Sequence, residues 1–383
     1  MLRGFALLGI LLVNALYMAG PHAEAGGGSP HGPQADAVAE WLVTALFGAK
    51  FYLLFSFLFG YSFTLQRAAA ERTASALAPR HLRRLGCLFL LGLAHGVLLF
   101  PGDVLMVYAV LGLVLFALRD VTSRTALWTA ACLVVCTAAC LMVWGWFTVA
   151  YAEPVTTKAL TDAIESAASA RRGSPGSVVE SNVRWLRDAL GWNIVYGADM
   201  LAAFLVGMVA GRRGMLATPG RHRTRMTRVV VLGLPLGLVG SVFMAVCRNG
   251  PLDARWYDVG SAVGVLTAPA LTAAYAAGLL LLLPTRPGRR IAAALAPAGR
   301  MALTNYLGQS LVMALFFTGY GLARYGRYGS ATVLTGCFVL YAAQLALSRR
   351  LLRRAGYGPV EWLLRTVTAA RRPRADPALP VNP

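Results

Sequence analysis

The chain has 383 residues, of which 57% are hydrophobic and only 14% charged, and it carries a formal net charge of +20 at pH 7. A soluble domain holds roughly a quarter charged residues, so this composition excludes an ordinary soluble protein. The basic residues fall between apolar runs rather than in one patch, which argues against a nucleic-acid partner.

Apolar runs near the ~17–25 residues that cross ~30 Å of hydrocarbon as a helix recur along the whole chain. In chain order they are 4–20, 41–65, 85–100, 103–118, 125–150, 190–211, 229–247, 258–283, 301–322 and 329–348. The fold class is therefore an all-α, polytopic transmembrane helix bundle of about ten spans, with the lipid bilayer as its surroundings. The first run has weak features of a cleavable signal, but nine further spans follow and Asn14 lies inside it, so a retained helix is expected. The next segment, "AGPHAEAGGGSPHGPQADA", reads as a flexible Gly/Pro-rich connection. Residues 151–189 form the largest piece between spans, placed to cap the mouth of a pocket. Residues 1–365 make one integral membrane domain, and the Pro- and Arg-rich 366–383 is predicted to be a disordered tail.

When the ten spans alternate sides, one set of gaps and ends collects 26 Lys and Arg and the other only 9. The positive-inside rule makes the rich side cytoplasmic, so both termini are expected there, with 21–40 and 151–189 outside. The +20 is mostly an orientation signal. The six cysteines all lie in apolar spans, and no CxxC pairs with a second one or with a nearby His, so metal-ligand spacing is lacking. They read as small packing residues.

Ionisable and amide groups inside the spans are costly there and are functional candidates by default. Counting from the span ends puts His95, Lys50, Asp199 and Asn14 in the outer half or near the middle, with Asp103 at the outer rim after Pro101-Gly102. Arg300, Asn305 and Gln309 fall in the inner half, the last two on one helix face. A histidine partnered by a carboxylate acts as a general base, which makes His95 and Asp103 the catalytic candidates. The others are substrate-binding candidates, each with a structural alternative. Lys50 and Asp199 neutralise each other as a buried pair. Asn14, Asn305 and Gln309 serve as interhelical hydrogen-bond donors and acceptors. Asp103 caps the following helix.

The stretches "LRGFALLGILLVN", "KFYLLFSFLFGYSF", "RRLGCLFLLGLAHGVLLFPGDVLMVYAVLG", "GRMALTNYLGQSL" with "FFTGYGL", and "GPVEWLLR" resemble the YeiB-like family of bacterial inner-membrane proteins, a domain of unknown function. That family's pattern has an Asp two residues before the first Leu-Arg-Gly; here Met1 precedes Leu2-Arg3-Gly4, so the natural start is expected upstream. The family is distantly similar to membrane acyltransferases of the heparan-glucosaminide and acyltransferase-3 kinds. The resemblance implies a multi-pass protein of the bacterial cell membrane that moves an acyl group from cytoplasmic acyl-CoA, a co-substrate rather than a bound cofactor, to a small-molecule, glycan or lipid-linked acceptor. In that picture His95 is base or acyl carrier, Asp103 orients it, and Arg300, Asn305 and Gln309 contact the donor. Two other readings stay open: a permease with a proton-coupled polar path, and a membrane accessory protein without chemistry. The lack of internal repeats and of Gly/Pro-broken helix pairs, with Pro101-Gly102 and Pro269 the breakers of interest, weighs against the permease.

Overall fold

A computed structural model describes residues 1–20, 34–72, 77–154, 156–217 and 219–369. Among them are fifteen α-helices: α1 Leu2–Ala19, α2 Gln34–Leu46, α3 Lys50–Arg72, α4 Leu77–Leu98, α5 Leu105–Ala117, α6 Ser123–Tyr151, α7 Thr157–Arg172, α8 Pro175–Asp188, α9 Leu190–Arg212, α10 Arg223–Asn249, α11 Tyr257–Leu282, α12 Arg286–Arg300, α13 Ala302–Phe317, α14 Ser330–Ala355 and α15 Pro359–Ala369. No strand occurs among the described residues. The fold is an all-helical polytopic bundle.

Each expected span finds its helix, and among the described residues seven helical stretches are long and apolar enough to cross a membrane. The α5 and α13 helices are apolar but shorter, at 13 and 16 residues. The first half of α4 carries Arg80, Arg83 and Arg84. Large apolar side chains stand outward around the bundle, among them Ile194 at 76%, Val239 at 71% and Trp128 at 65% exposure. Such a belt is what a hydrocarbon surround requires.

Several expectations change. The segment 34–40 is the start of α2, not part of a flexible connection, while residues 21–33 lie outside the described residues. The span expected at 41–65 is two helices, because Phe47, Gly48 and Ala49 interrupt it and Ala49 takes a left-handed φ of 64°. The gap 284–300 contains α12, which starts on a Thr285 side-chain cap. The tail begins as α15, reaching Ala369, and 370–383 lie outside the described residues. Cys132, Cys136 and Cys140 are exposed on α6 and pack little inside the chain, because the stripe faces outward.

Close helix crossings replace the hydrophobic drive that is absent between helices in lipid. Where α3 meets α9, a Cβ on Gly60 would run into the carbonyl of Phe204, and one on Gly207 into that of Phe57. The α1, α3, α12, α13 and α14 helices share the largest apolar core. The α7–α8 hairpin stands at one end of the bundle, and the arginine-bearing ends of α9 and α10 stand at the other.

Candidate functional site

The α4 helix ends at Leu98, and a corner through Phe100, Pro101 and Gly102 turns the chain back as α5. Asp103, on that corner, accepts the Met106 N–H on Oδ2 at 2.8 Å, which satisfies a donor of the first turn of α5. Its Oδ1 lies 2.9 Å from His95 Nδ1 on α4. Capping and positioning, alternatives in the sequence, are thus done by one carboxylate at once. The approach depends on Gly92, one turn before His95: a Cβ there would sit 2.5 Å from Met106 N and 2.6 Å from Asp103 Oδ2.

Both residues are buried, His95 at 2% and Asp103 at 6% exposure. A carboxylate only accepts, so Nδ1 carries the hydrogen, and in the neutral ring the lone pair stands on Nε2. That Nε2 is buried and has no hydrogen-bond partner. The ring lies 5.0 Å from the Tyr306 ring of α13 and 6.5 Å from that of Phe100, and the Tyr306 hydroxyl approaches Asp103 Oδ1 at 3.5 Å. A carboxylate-oriented imidazole with an unoccupied Nε2 is the arrangement of a general base.

The α7–α8 hairpin closes the same end of α4. Asn182 donates to the Val97 carbonyl at 3.1 Å and accepts from Arg171 at 3.3 Å, and the Arg171 carbonyl takes the Gly319 N–H at 2.9 Å. The Leu186 methyls of α8 come within 3.5 Å of where a Cβ on Gly96 would stand, one residue beyond His95. The hairpin therefore shields the imidazole from solvent.

On the far side of Tyr306 is a void of about 10 Å³, lined by Asn14, Gln309 and Ser310 among others, about the room of one water. Asn14 and Gln309 thereby come next to the dyad through Tyr306. Gln309 also donates to Gln344 at 2.8 Å, and Asn305 donates to Ser348 at 2.9 Å and to the Ala298 carbonyl at 3.2 Å, so both tie α13 to its neighbours. Arg300 is exposed at the end of α12 and makes no hydrogen bond or ion pair among the described residues.

Lys50 and Asp199 are both buried but do not pair with each other. Lys50 donates to the Thr44 carbonyl at 3.2 Å, one of those freed where α2 breaks, and a cation at a helix C-terminus is favourable. Tyr275 serves the Leu46 carbonyl at 3.2 Å in the same way. Asp199 accepts from the Tyr52 hydroxyl at 2.8 Å on Oδ2. Its other oxygen is buried without a partner, and Asp199 is among the residues lining a 620 Å³ cleft between α3, α6, α9, α10 and α11.

The sequence reading missed the tyrosines. Tyr306 joins the dyad, and the Tyr108 hydroxyl donates to the Tyr52 carbonyl at 2.9 Å and meets Ser56 Oγ at 2.9 Å. The available signal was that a tyrosine buried in an apolar span needs a partner for its hydroxyl. Glu361 was also missed as a contributor. Its Oε1 takes the Leu303 and Thr304 N–H groups at 2.7 and 3.1 Å, which fixes the start of α13 and with it the depth of Tyr306.

Comparison with known proteins agrees with the motif resemblance over nearly the full chain. Residues 210–371 match the family described as protein of unknown function (DUF418). The uncharacterized protein YeiB of Escherichia coli (strain K12) is 29% identical over 381 residues, covering 96% of this chain and 94% of the relative. The chain is similar to YeiB along nearly its whole length. It is also 29% identical over 385 residues to the uncharacterized protein YxaH of Bacillus subtilis (strain 168), covering 96% and 92% of the two chains. An uncharacterized 39.9 kDa protein of the amylase 3' region of Bacillus acidopullulyticus is 28% identical over 385 residues, covering 97% and 93%. The DUF418 match takes in α13 and α15, hence Tyr306 and Glu361, while the His95–Asp103 corner lies before it.

Proposed function

We propose that the chain is a multi-pass acyltransferase of the bacterial inner membrane, with both termini cytoplasmic, that passes an acyl group from acyl-CoA to a hydroxyl or amine on the other side. The observation that carries this reading is the buried His95, held through Nδ1 by Asp103 with Nε2 unoccupied. In the transfer, Nε2 takes the proton of the acceptor O–H or N–H while the acceptor atom attacks the thioester carbonyl. The new C–O or C–N bond forms, the C–S bond breaks, and the imidazolium returns the proton to the CoA thiolate. Asp103 fixes the tautomer and offsets the charge that appears on the ring. The names of the relatives carry no activity, so the reading rests on this site and on the distant likeness of YeiB-like proteins to acyltransferases.

The test is CoA release or self-acylation by purified protein in nanodiscs. Positioned general bases contribute roughly 10²–10⁴-fold, so His95→Ala should remove all but a trace of turnover. Folded wild-type protein that neither binds nor consumes acyl-CoA would end this reading. A permease would then lead, and it has an observation of its own: the break at Phe47–Ala49, with irregular backbone inside the bundle, is a feature that substrate paths use.

A further inference from the structure

The acyl-transfer reading makes no use of the cleft beside Asp199. Its volume of 620 Å³ falls within the ~300–1,000 Å³ of small-molecule pockets. Its walls are nearly all apolar and mostly small, including Phe57, Ala131, Val134, Ala203, Pro269 and Ala273. On the outer rim stand Val135 and Leu266, 56% and 53% exposed, so the opening faces the region of the lipid chains. Arg213, His222 and Arg225 lie at the other end, with Arg213 fourteen residues or ~21 Å along the helix axis from Asp199. Those cations belong to the general basic character of that face.

Asp199 is the one acidic group on these walls, fully buried, with Oδ2 held by Tyr52 and Oδ1 without a donor. A carboxylate in such surroundings is costly unless a donor of opposite charge reaches it. Among the described residues none does: Lys50, the buried cation nearest in sequence to Tyr52, is turned to the Thr44 carbonyl. An N–H donor entering through the cleft would supply that partner.

We propose that this cleft binds a lipophilic ammonium compound entering from the bilayer, its apolar body between α6, α9 and α11 and its N–H donating to Asp199 Oδ1. The site stands apart from the His95–Asp103 corner: α3 turns Leu53, Leu54 and Phe57 to the cleft but Ser56 to Tyr108 of α5. It does not depend on acyl transfer.

The experiment is fluorescence binding in nanodiscs with dansylcadaverine, an apolar ring system on a short chain ending in a primary amine. Its N-acetyl derivative serves as the neutral control. The expected result is saturable binding of the amine that Asp199→Asn weakens about tenfold or more, the scale of one desolvated charge pair. Ala203→Trp, which fills the cleft and keeps the carboxylate, should weaken it as well. Thermal melts of both variants separate lost binding from lost folding, and the N-acetyl comparison on wild-type protein needs neither. Equal binding of the amine and its N-acetyl form overturns the proposal, as does equal binding by folded wild type and Asp199→Asn. So does an absence of amine binding, including the case where the cleft takes up anionic phospholipid through Arg213 and Arg225.

Discussion

Two buried aspartates divide this molecule. Asp103 has both oxygens engaged, by His95 Nδ1, the Met106 N–H and the approaching Tyr306 hydroxyl, and it lies under the α7–α8 hairpin. Asp199 has one oxygen engaged, by Tyr52, and the other buried without a partner, and the residue lines a cleft that opens to the side. A carboxylate with both oxygens held by its own chain is placed to position a neighbour. One left half-satisfied in an apolar wall has its remaining acceptor available. The two proposals follow this division: they assign chemistry to His95, which Asp103 leaves with a free nitrogen, and recognition to Asp199.

The largest effect that tests this division is at Asp103 itself. Asp103→Asn keeps the shape but presents an amide that donates where the carboxylate accepted. The imidazole then carries its hydrogen on Nε2, and the base is lost. Turnover should fall roughly 10²–10⁴-fold while acyl-CoA binding holds, which single-turnover kinetics resolves from a change in affinity. If Asp103→Asn turns over normally, the carboxylate is only a helix cap and the contrast between the two aspartates dissolves.

How far the sequence reached can be judged on the same residues. Hydropathy located every span, because crossing hydrocarbon demands long apolar helices and little else. Depth along each helix was also legible, so His95 and Asp103 came out as neighbours across a Pro-Gly corner. Direction around the helix axis was not. Lys50 and Asp199 have similar depths and opposite charges, yet Lys50 serves a freed carbonyl of α2 and Asp199 a tyrosine of α3. The break that frees that carbonyl carries no proline and only one glycine, Gly48, so no strong breaker announced it. Residues 151–189, read as one segment between spans, form α7 and α8, whose contacts run to Val97 and Gly319.

A smaller effect tests whether the corner is held as tightly as its geometry implies. At Gly92 a Cβ meets the Met106 nitrogen, whereas at Gly86, earlier on α4, nothing stands within 4 Å. Gly92→Ala should cost about 1–3 kcal/mol, as forced overpacking does, and should lower turnover by moving Asp103 off His95. Gly86→Ala should be neutral or stabilise by roughly 0.5–1 kcal/mol through helix propensity alone. Thermal melts of the pair in one detergent give the comparison, and equal shifts would mean that α4 and α5 are free to slide at the corner.

The smallest effect concerns Tyr306. Its hydroxyl stands 3.5 Å from Asp103 Oδ1, a long contact, while its ring lies against His95 with centroids 5.0 Å apart. Tyr306→Phe keeps the ring and deletes the hydroxyl. The net worth of an ordinary hydrogen bond is about 0.5–1.5 kcal/mol, and this one is stretched, so turnover should drop roughly fivefold or less. A loss as deep as that of His95→Ala would show that the phenol, not the imidazole alone, handles a proton in the reaction. Tyr306 also walls the one-water void shared with Asn14 and Gln309, so such a result would extend the reacting centre from the dyad toward α1.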